Sequence, residues 1–298
     1  MERALDQGDA GIPAWLAGLG LPGMVDVHVH FMPDTVQQKV WAHFDRLDPP
    51  WPVTYRSGER RRLATLAAMG IRHHTALAYS HRPGMAEWLN RHTLGLARSA
   101  PAVVPSFTFY PEPGVEEYVQ HALDQGGAAA KVHLQVGKFD ANHPLLDPVW
   151  SHLAAGQVPV ILHAGAVRDG SGGEEWCGIR PVRRLLDRFP ELRLVIAHLG
   201  APDFDDFIDL ARGSANVSLD TAMVFDGDAT LGARPPDLGE RLGRLGGQVV
   251  FGSDFPTIPR PVAAQLAGLA ALGLGDDWLR AVLWHNGARL LGIDGAGW

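Results

Sequence analysis

The sequence predicts an α/β protein folded as a (β/α)8 TIM barrel, and three observations carry that prediction. First, eight short apolar runs recur along the chain, at residues 24–30, 74–79, 103–109, 129–135, 158–163, 193–198, 216–220 and 248–253. Each is bounded by Gly, Pro or Asp, as buried strands are. Second, the stretches between them carry helical periodicity. Third, His and Asp residues gather at the C-terminal ends of several runs, the rim where such a barrel places its functional groups.

The helical segments can be justified one by one. Residues 59–69 put Leu63, Leu66 and Ala67 on one face, and residues 115–123 align Val115, Tyr118, Val119 and Ala122. Residues 181–189 align Val182, Leu185, Leu186 and Phe189, with arginines opposite. Pro or acidic residues mark helix starts, and Gly70, Gly126 and Gly156 mark stops. Strands alternating with helices imply parallel neighbours, because a parallel pair needs a crossover. An open doubly wound sheet is the rival architecture. It carries a glycine-rich turn after its first strand, and here that place holds His28-Val29-His30-Phe31. No Ser- or Pro-rich linker divides the chain, so residues 1–298 are expected to form one domain, with the barrel proper over about 21–295. Residues 32–57, with Trp41, Trp51 and Pro49-Pro50, are too long for a simple connection and are expected to form a lid or a wall over the barrel mouth.

Composition narrows the function. Hydrophobic residues make up 46% and charged residues 20% of a chain with net charge -7, so a globular core can form and no basic footprint for nucleic acid exists. The one dense basic run, Arg60-Arg61-Arg62, reads as the exposed face of a helix. Cys177 is the only cysteine, which rules out an intramolecular disulfide or an all-cysteine zinc site. Glu2 and Asp6 stand where a signal peptide carries positive charge, and no apolar run spans a bilayer; a cytoplasmic protein without membrane contact is expected.

The histidines carry the chemistry. His28 and His30 end the first strand and, two residues apart, share a face. His163 ends the fifth strand, His198 the sixth, and Asp254 follows the eighth. Five ligand-type residues thus converge on one rim. Three imidazoles and a carboxylate suit Zn2+ or another divalent ion such as Mn, Fe or Co, with water completing the site. Lys131 lies on the fourth strand, on the same face as His133. Arg168, in the glycine-rich loop after the fifth strand, has the chemistry to clamp a substrate carboxylate. Asp220, at the end of the seventh strand, is placed to orient water or a ligand histidine. His81, Arg82, Trp41, Trp51 and Trp176 are further candidates for the pocket lining.

These motifs resemble the amidohydrolase superfamily. Val25-Asp26-Val27-His28-Val29-His30-Phe31 is similar to its first-strand signature. His163-Ala164-Gly165, Ala197-His198-Leu199-Gly200 and Gly252-Ser253-Asp254-Phe255-Pro256 resemble those of its fifth, sixth and eighth strands. The segment from His285 to Gly292 is similar to its closing helix. The nearest resemblance is to the amidohydrolase-related (amidohydrolase 2) branch, with the aminocarboxymuconate-semialdehyde decarboxylase-like enzymes. That resemblance implies one zinc on His28, His30, His163 and Asp254, with His198 catalytic rather than a ligand. Binuclear superfamily members instead bridge two metals with a carboxylated lysine on the fourth strand, which would be Lys131 here and would make His198 a ligand. Otherwise Lys131 is expected to pair with Asp220 or an anionic substrate, and one ion is favoured.

The resulting expectation is a metal-dependent hydrolase that activates water, with Asp254 as proton carrier and His198 stabilising the scissile carbonyl of an amide, lactone or ester. Non-oxidative decarboxylation uses the same ligands and is the alternative; a barrel that binds without turnover is the third reading. The expected partner is a small, carboxylated substrate molecule. The resemblance also implies a homodimer.

Overall fold

Nine parallel strand segments build the molecule, described here from a computed structural model that covers residues 2–167, 172–227 and 231–293. They are β1 (Met24–Asp26), β2 (Ile71–Thr75), β3 (Val103–Val104), β4 (Ser106–Thr108), β5 (Ala129–His133), β6 (Val160–His163), β7 (Leu194–Ile196), β8 (Val217–Asp220) and β9 (Val249–Val250). Hydrogen bonding orders them β1-β2-β3 and β4-β5-β6-β7-β8-β9. β3 and β4 are two pieces of one strand. Pro105 separates them because it has no N–H to give the ladder, although its carbonyl still accepts from Ala128 N at 2.8 Å. Eight strands remain, the number the periodicity predicts.

The ring closes through the segment after β1. Val27 N donates to Phe251 O at 3.0 Å, His30 N to Phe255 O at 2.7 Å and Asp254 N to His28 O at 2.8 Å. On its other side Leu77 N donates to Val29 O at 2.7 Å and Phe31 N to Leu77 O at 3.0 Å. Residues 27–31 are therefore bonded to both neighbours, which is barrel closure. Several regular strands end earlier than predicted: at Asp26 rather than 30, at His133 rather than 135, where the short helix Leu134–Gly137 begins, and at Val250 rather than 253. β2 also begins at Ile71, three residues before its predicted start, because the polar pair Arg72-His73 masks the apolar pattern.

Outside the ring, helices such as Val115–Asp124 and Ile179–Arg188 lay Val115, Val119 and Ala122, and Val182 and Leu185, on the barrel. Among the described residues no helix is long and apolar enough to cross a membrane. The insertion at 32–57 contains an unpredicted helix, Asp34–Phe44. Its two ends are stapled by Arg62, which contradicts the expectation of an exposed basic face. Arg62 is fully buried in helix Glu59–Ala68. Its guanidinium donates to Ser57 O at 3.0 Å, to Met32 O at 3.4 Å and to Asp34 Oδ1 at 3.2 Å, and lies over the Phe31 ring. Three acceptors and an aromatic face offset much of the cost of burying this cation, although its Nε is left without a hydrogen-bond partner.

His74 on β2 makes the fold sensitive to acid. It is buried, stacks on Phe31 at 5.6 Å between ring centroids, and its Nδ1 lies 2.8 Å from Thr75 O. Burial pushes its pKa from 6.5 down to about 4. The unfolded chain takes up this proton first, so the neutral ring's contribution to stability is lost as pH falls from about 6.5 toward 4. His74→Phe is expected to lose about 2 kcal/mol less stability than the parent between pH 7 and pH 5. Urea unfolding at the two pH values checks this, and an unchanged pH dependence would refute the assignment.

Candidate metal centre and active site

Two buried carboxylates hold the site's backbone together. Asp220 ends β8, and its Oδ1 accepts from His198 N at 2.9 Å and Ala222 N at 3.1 Å. Its Oδ2 faces His28 Nδ1 at 2.9 Å. Asp26 ends β1, and its Oδ1 accepts from His28 N at 3.1 Å and Ser253 N at 3.0 Å. Burial pushes both carboxyls upward, Asp26 to about 7. Sequence reasoning passed over Asp26 as a site residue, although the two-residue period that groups His28 with His30 also reaches back to it. The approach of the last strand to this pair requires glycine. A Cβ on Gly252 would lie 2.8 Å from His28 Cβ and 3.3 Å from Asp220 Cβ.

His198 and Asp254 both sit in left-handed backbone, with φ of 57° and 64°. For a residue with a side chain that conformation costs about 1–2 kcal/mol. A hydrogen bond to a charged acceptor contributes about 1.5–3 kcal/mol, so the Asp220 bond to His198 N is enough to hold the turn. Asp254 is held by its own N–H on His28 O. The backbone strain is thus offset by groups that also position the first-strand histidines.

The side chains converge as electron-pair donors. His28 Nδ1 faces a carboxylate, which fixes its proton there and leaves Nε2 with a lone pair. His30 Nδ1 lies 3.2 Å from Leu77 O, which fixes the same tautomer. The two Nε2 atoms are 3.2 Å apart, and Asp254 Oδ1 is 3.1 Å from His30 Nε2 and 3.6 Å from His28 Nε2. Three acceptors facing one another need a cation between them. Two ligands about 2.0–2.2 Å from one tetrahedral ion stand roughly 3.3–3.6 Å apart, so this set fits a divalent metal. Burial, with Lys131 beside it, holds His28 well below the ordinary histidine range and keeps it in the neutral, ligating form.

The remaining predicted residues are placed unequally. Ligand atoms of His28, His30 and Asp254 lie within 4.8 Å of one another, as do those of His28, His198 and Asp220. His163 belongs to neither group. It stacks on His133 at 3.8 Å, its ring is 5.0 Å from that of His198, and its Nε2 is buried with no hydrogen-bond partner. Burial and the neighbouring His133 keep His163 neutral, so this orphaned nitrogen is chemically ready to ligate. His133 is also neutral by burial, and Val136 N donates to its Nδ1 at 3.3 Å. His198 Nδ1 meets Ala222 O at 2.9 Å, which leaves Nε2 for other partners.

Lys131 forms no ion pair with Asp220, the first of the two partners expected for it. Its Nζ lies 3.0 Å from His28 Nε2, because β5 delivers it to the barrel axis above the first-strand histidines. Burial outweighs the pull of Asp254 and Asp220 and brings its pKa down to about 8. Arg168 lies outside the described residues. His81, Arg82 and Trp51 line the cavity over the site, whereas Trp41 and Trp176 do not. Sequence reasoning also missed Tyr79, which follows β2. Its ring meets His30 edge-on at 5.5 Å and His133 at 5.2 Å, and burial, with the Asp254 charge, keeps its phenol protonated.

The chain belongs to the amidohydrolase family, whose sequence model matches residues 25–293. Comparison with curated proteins gave no match. Among solved structures, the chain is similar to an uncharacterized TIM-barrel protein of Bordetella bronchiseptica, at 19% identity and TM-score 0.69, covering 91% of this chain and 98% of that one. It is similar to a probable 2-pyrone-4,6-dicarboxylic acid hydrolase of Acinetobacter baumannii with citric acid bound, at 14% identity and TM-score 0.58, covering 91% and 99%. A 4-oxalomesaconate hydratase of Rhodopseudomonas palustris aligns at 14% identity and TM-score 0.56, covering 92% and 97%. These likenesses establish the TIM-barrel fold.

If Asp220 sets the His28 tautomer, Asp220→Asn will weaken metal binding about 10- to 100-fold. Competition of the purified protein against a chelator measures this. Unchanged affinity in a folded variant would remove Asp220 from that role.

Proposed function

We propose that the protein is a metal-dependent hydrolase that cleaves an amide, lactone or ester bond in a carboxylated molecule. The observation that carries this reading is the convergence of His28 Nε2, His30 Nε2 and Asp254 Oδ1 at the floor of a cavity of about 1390 Å3. His28, His30, His163 and Asp254 are the residues that would hold a divalent ion, Zn2+ or a relative, which when bound supplies the Lewis acidity that activates water near neutral pH.

The chain's own groups divide the remaining work. Asp254 is the one carboxylate lining the cavity among the described residues, and its side chain keeps 18% exposure. It takes the proton of the attacking water and returns it to the leaving nitrogen or oxygen. His198, held from both sides by Asp220 and Ala222, meets the substrate through Nε2 and in its protonated form donates to the oxygen of the scissile carbonyl. Lys39, Arg82 and Lys131 face the cavity against that single carboxylate, a balance that favours an anionic substrate.

His198→Asn is expected to lower kcat on lactones or amides of carboxylic acids by about 10²- to 10³-fold while bound metal stays at the parent level. Steady-state kinetics together with metal analysis checks this. Release of carbon dioxide from the acid in place of hydrolysis would replace the proposal with the carboxy-lyase reading.

A further inference from the structure

The insertion helix Asp34–Phe44 divides its apolar side between a small buried cluster and the cavity. A helix on a globular protein turns its apolar side to the core. Here the one fully buried residue is polar, Gln37, whose Nε2 donates to Thr257 Oγ1 at 3.2 Å. Val36, Val40 and Phe44, spaced four apart and half-buried, line the cavity. At 1.5 Å per residue they form an apolar strip about 12 Å long.

The strip is built to stay in place. Val36 and Val40 pack against the cluster of Met32, Ala78, Met85 and Leu89. Trp51 Nε1 donates to Thr257 O at 3.1 Å, Thr54 N donates to Ile258 O at 2.9 Å, and Arg62 ties both ends of the insertion. Trp88, at 41% exposure, stands at the cavity mouth, and Met32, Met85 and Met223 also line the cavity. Methionine side chains adapt to irregular apolar shapes. Lys39, His43, His81 and Arg82 also line the cavity and are exposed, and among the described lining residues the one carboxylate is that of Asp254.

Metal centre, apolar band and cationic rim belong to one continuous cavity, larger than the roughly 300–1,000 Å3 of ordinary small-molecule sites. We infer that the substrate is an elongated amphipathic acid: its reacting carbonyl at the His28–Asp254 centre, an apolar carbon body along Val36, Val40 and Phe44, and a distal carboxylate at the Lys39 and Arg82 rim. This inference rests on the hydrolytic reading for its reacting end only. The band selects for length, because each methylene that enters it leaves water, and the rim selects for a terminal negative charge.

Straight-chain α,ω-dicarboxylates from succinate to sebacate test the inference by calorimetric titration of the metal-loaded protein at constant ionic strength. The dissociation constant is expected to fall about two- to fourfold per added methylene over the stretch the band covers. Val40→Asp and, separately, Phe44→Ala should flatten that dependence, with circular dichroism confirming that each is folded. Equal affinity for succinate and sebacate, no binding by any member, or a dependence that persists in both variants would overturn the inference. Turnover of short and long acyl lactones is read separately. Hydrolysis without chain-length dependence of binding refutes the amphipathic substrate and leaves the hydrolase standing. Chain-length dependence without hydrolysis does the reverse.

Discussion

Asp220 has both carboxylate oxygens committed inside the barrel: one to the backbone N–H groups of His198 and Ala222, the other to the His28 ring. That single side chain sets the tautomer of a first-strand histidine, holds His198 in a left-handed turn and anchors the segment whose carbonyl receives the His198 ring. A carboxylate this deep is stable only because every bond it accepts is in place. Asp26 does the parallel work on the far side of β9, joining β1 to the Ser253 backbone. The two acids sit between strands that are far apart in sequence, so the site exists only when the barrel is closed.

The same economy appears around the insertion. Arg62, buried with both terminal nitrogens hydrogen-bonded, ties the departure of residues 32–57 to their return, and Trp51 and Gln37 fasten the insertion to the loop after Asp254. The metal centre's floor and the cavity's wall therefore share a support. A helix that presents Val36, Val40 and Phe44 to a cavity exposes apolar surface, and that surface is tolerable where a ligand covers it. Lys39 and Arg82 add positive charge to the exposed part of the same lining.

Much of this is legible in the local pattern of the chain. Period-two alternation and the position of His28, His30, His163, His198 and Asp254 at the ends of apolar runs are local properties, and they are enough to point to the barrel and to the rim where these residues meet. The third strand's break at Pro105 and the early start of β2 at Ile71 are obscured because a proline and the polar Arg72-His73 pair interrupt the same pattern. Arg62 misleads for a related reason: in a run of three arginines nothing local tells which one turns inward.

By itself the sequence determined the architecture, the family and the types of side chain available for metal and proton chemistry, since those follow from short-range pattern and residue identity. Only the tertiary structure decided who meets whom. It brought His28, His30 and Asp254 into one tight group, left His163 stacked on His133 with an unpartnered nitrogen, and set Lys131 against His28 rather than Asp220. It also turned the apolar side of the insertion helix toward the cavity. Those outcomes depend on distances between strands far apart in the chain and on which groups compete for the same buried acceptors. Barrel closure fixes both, and no window of sequence contains them.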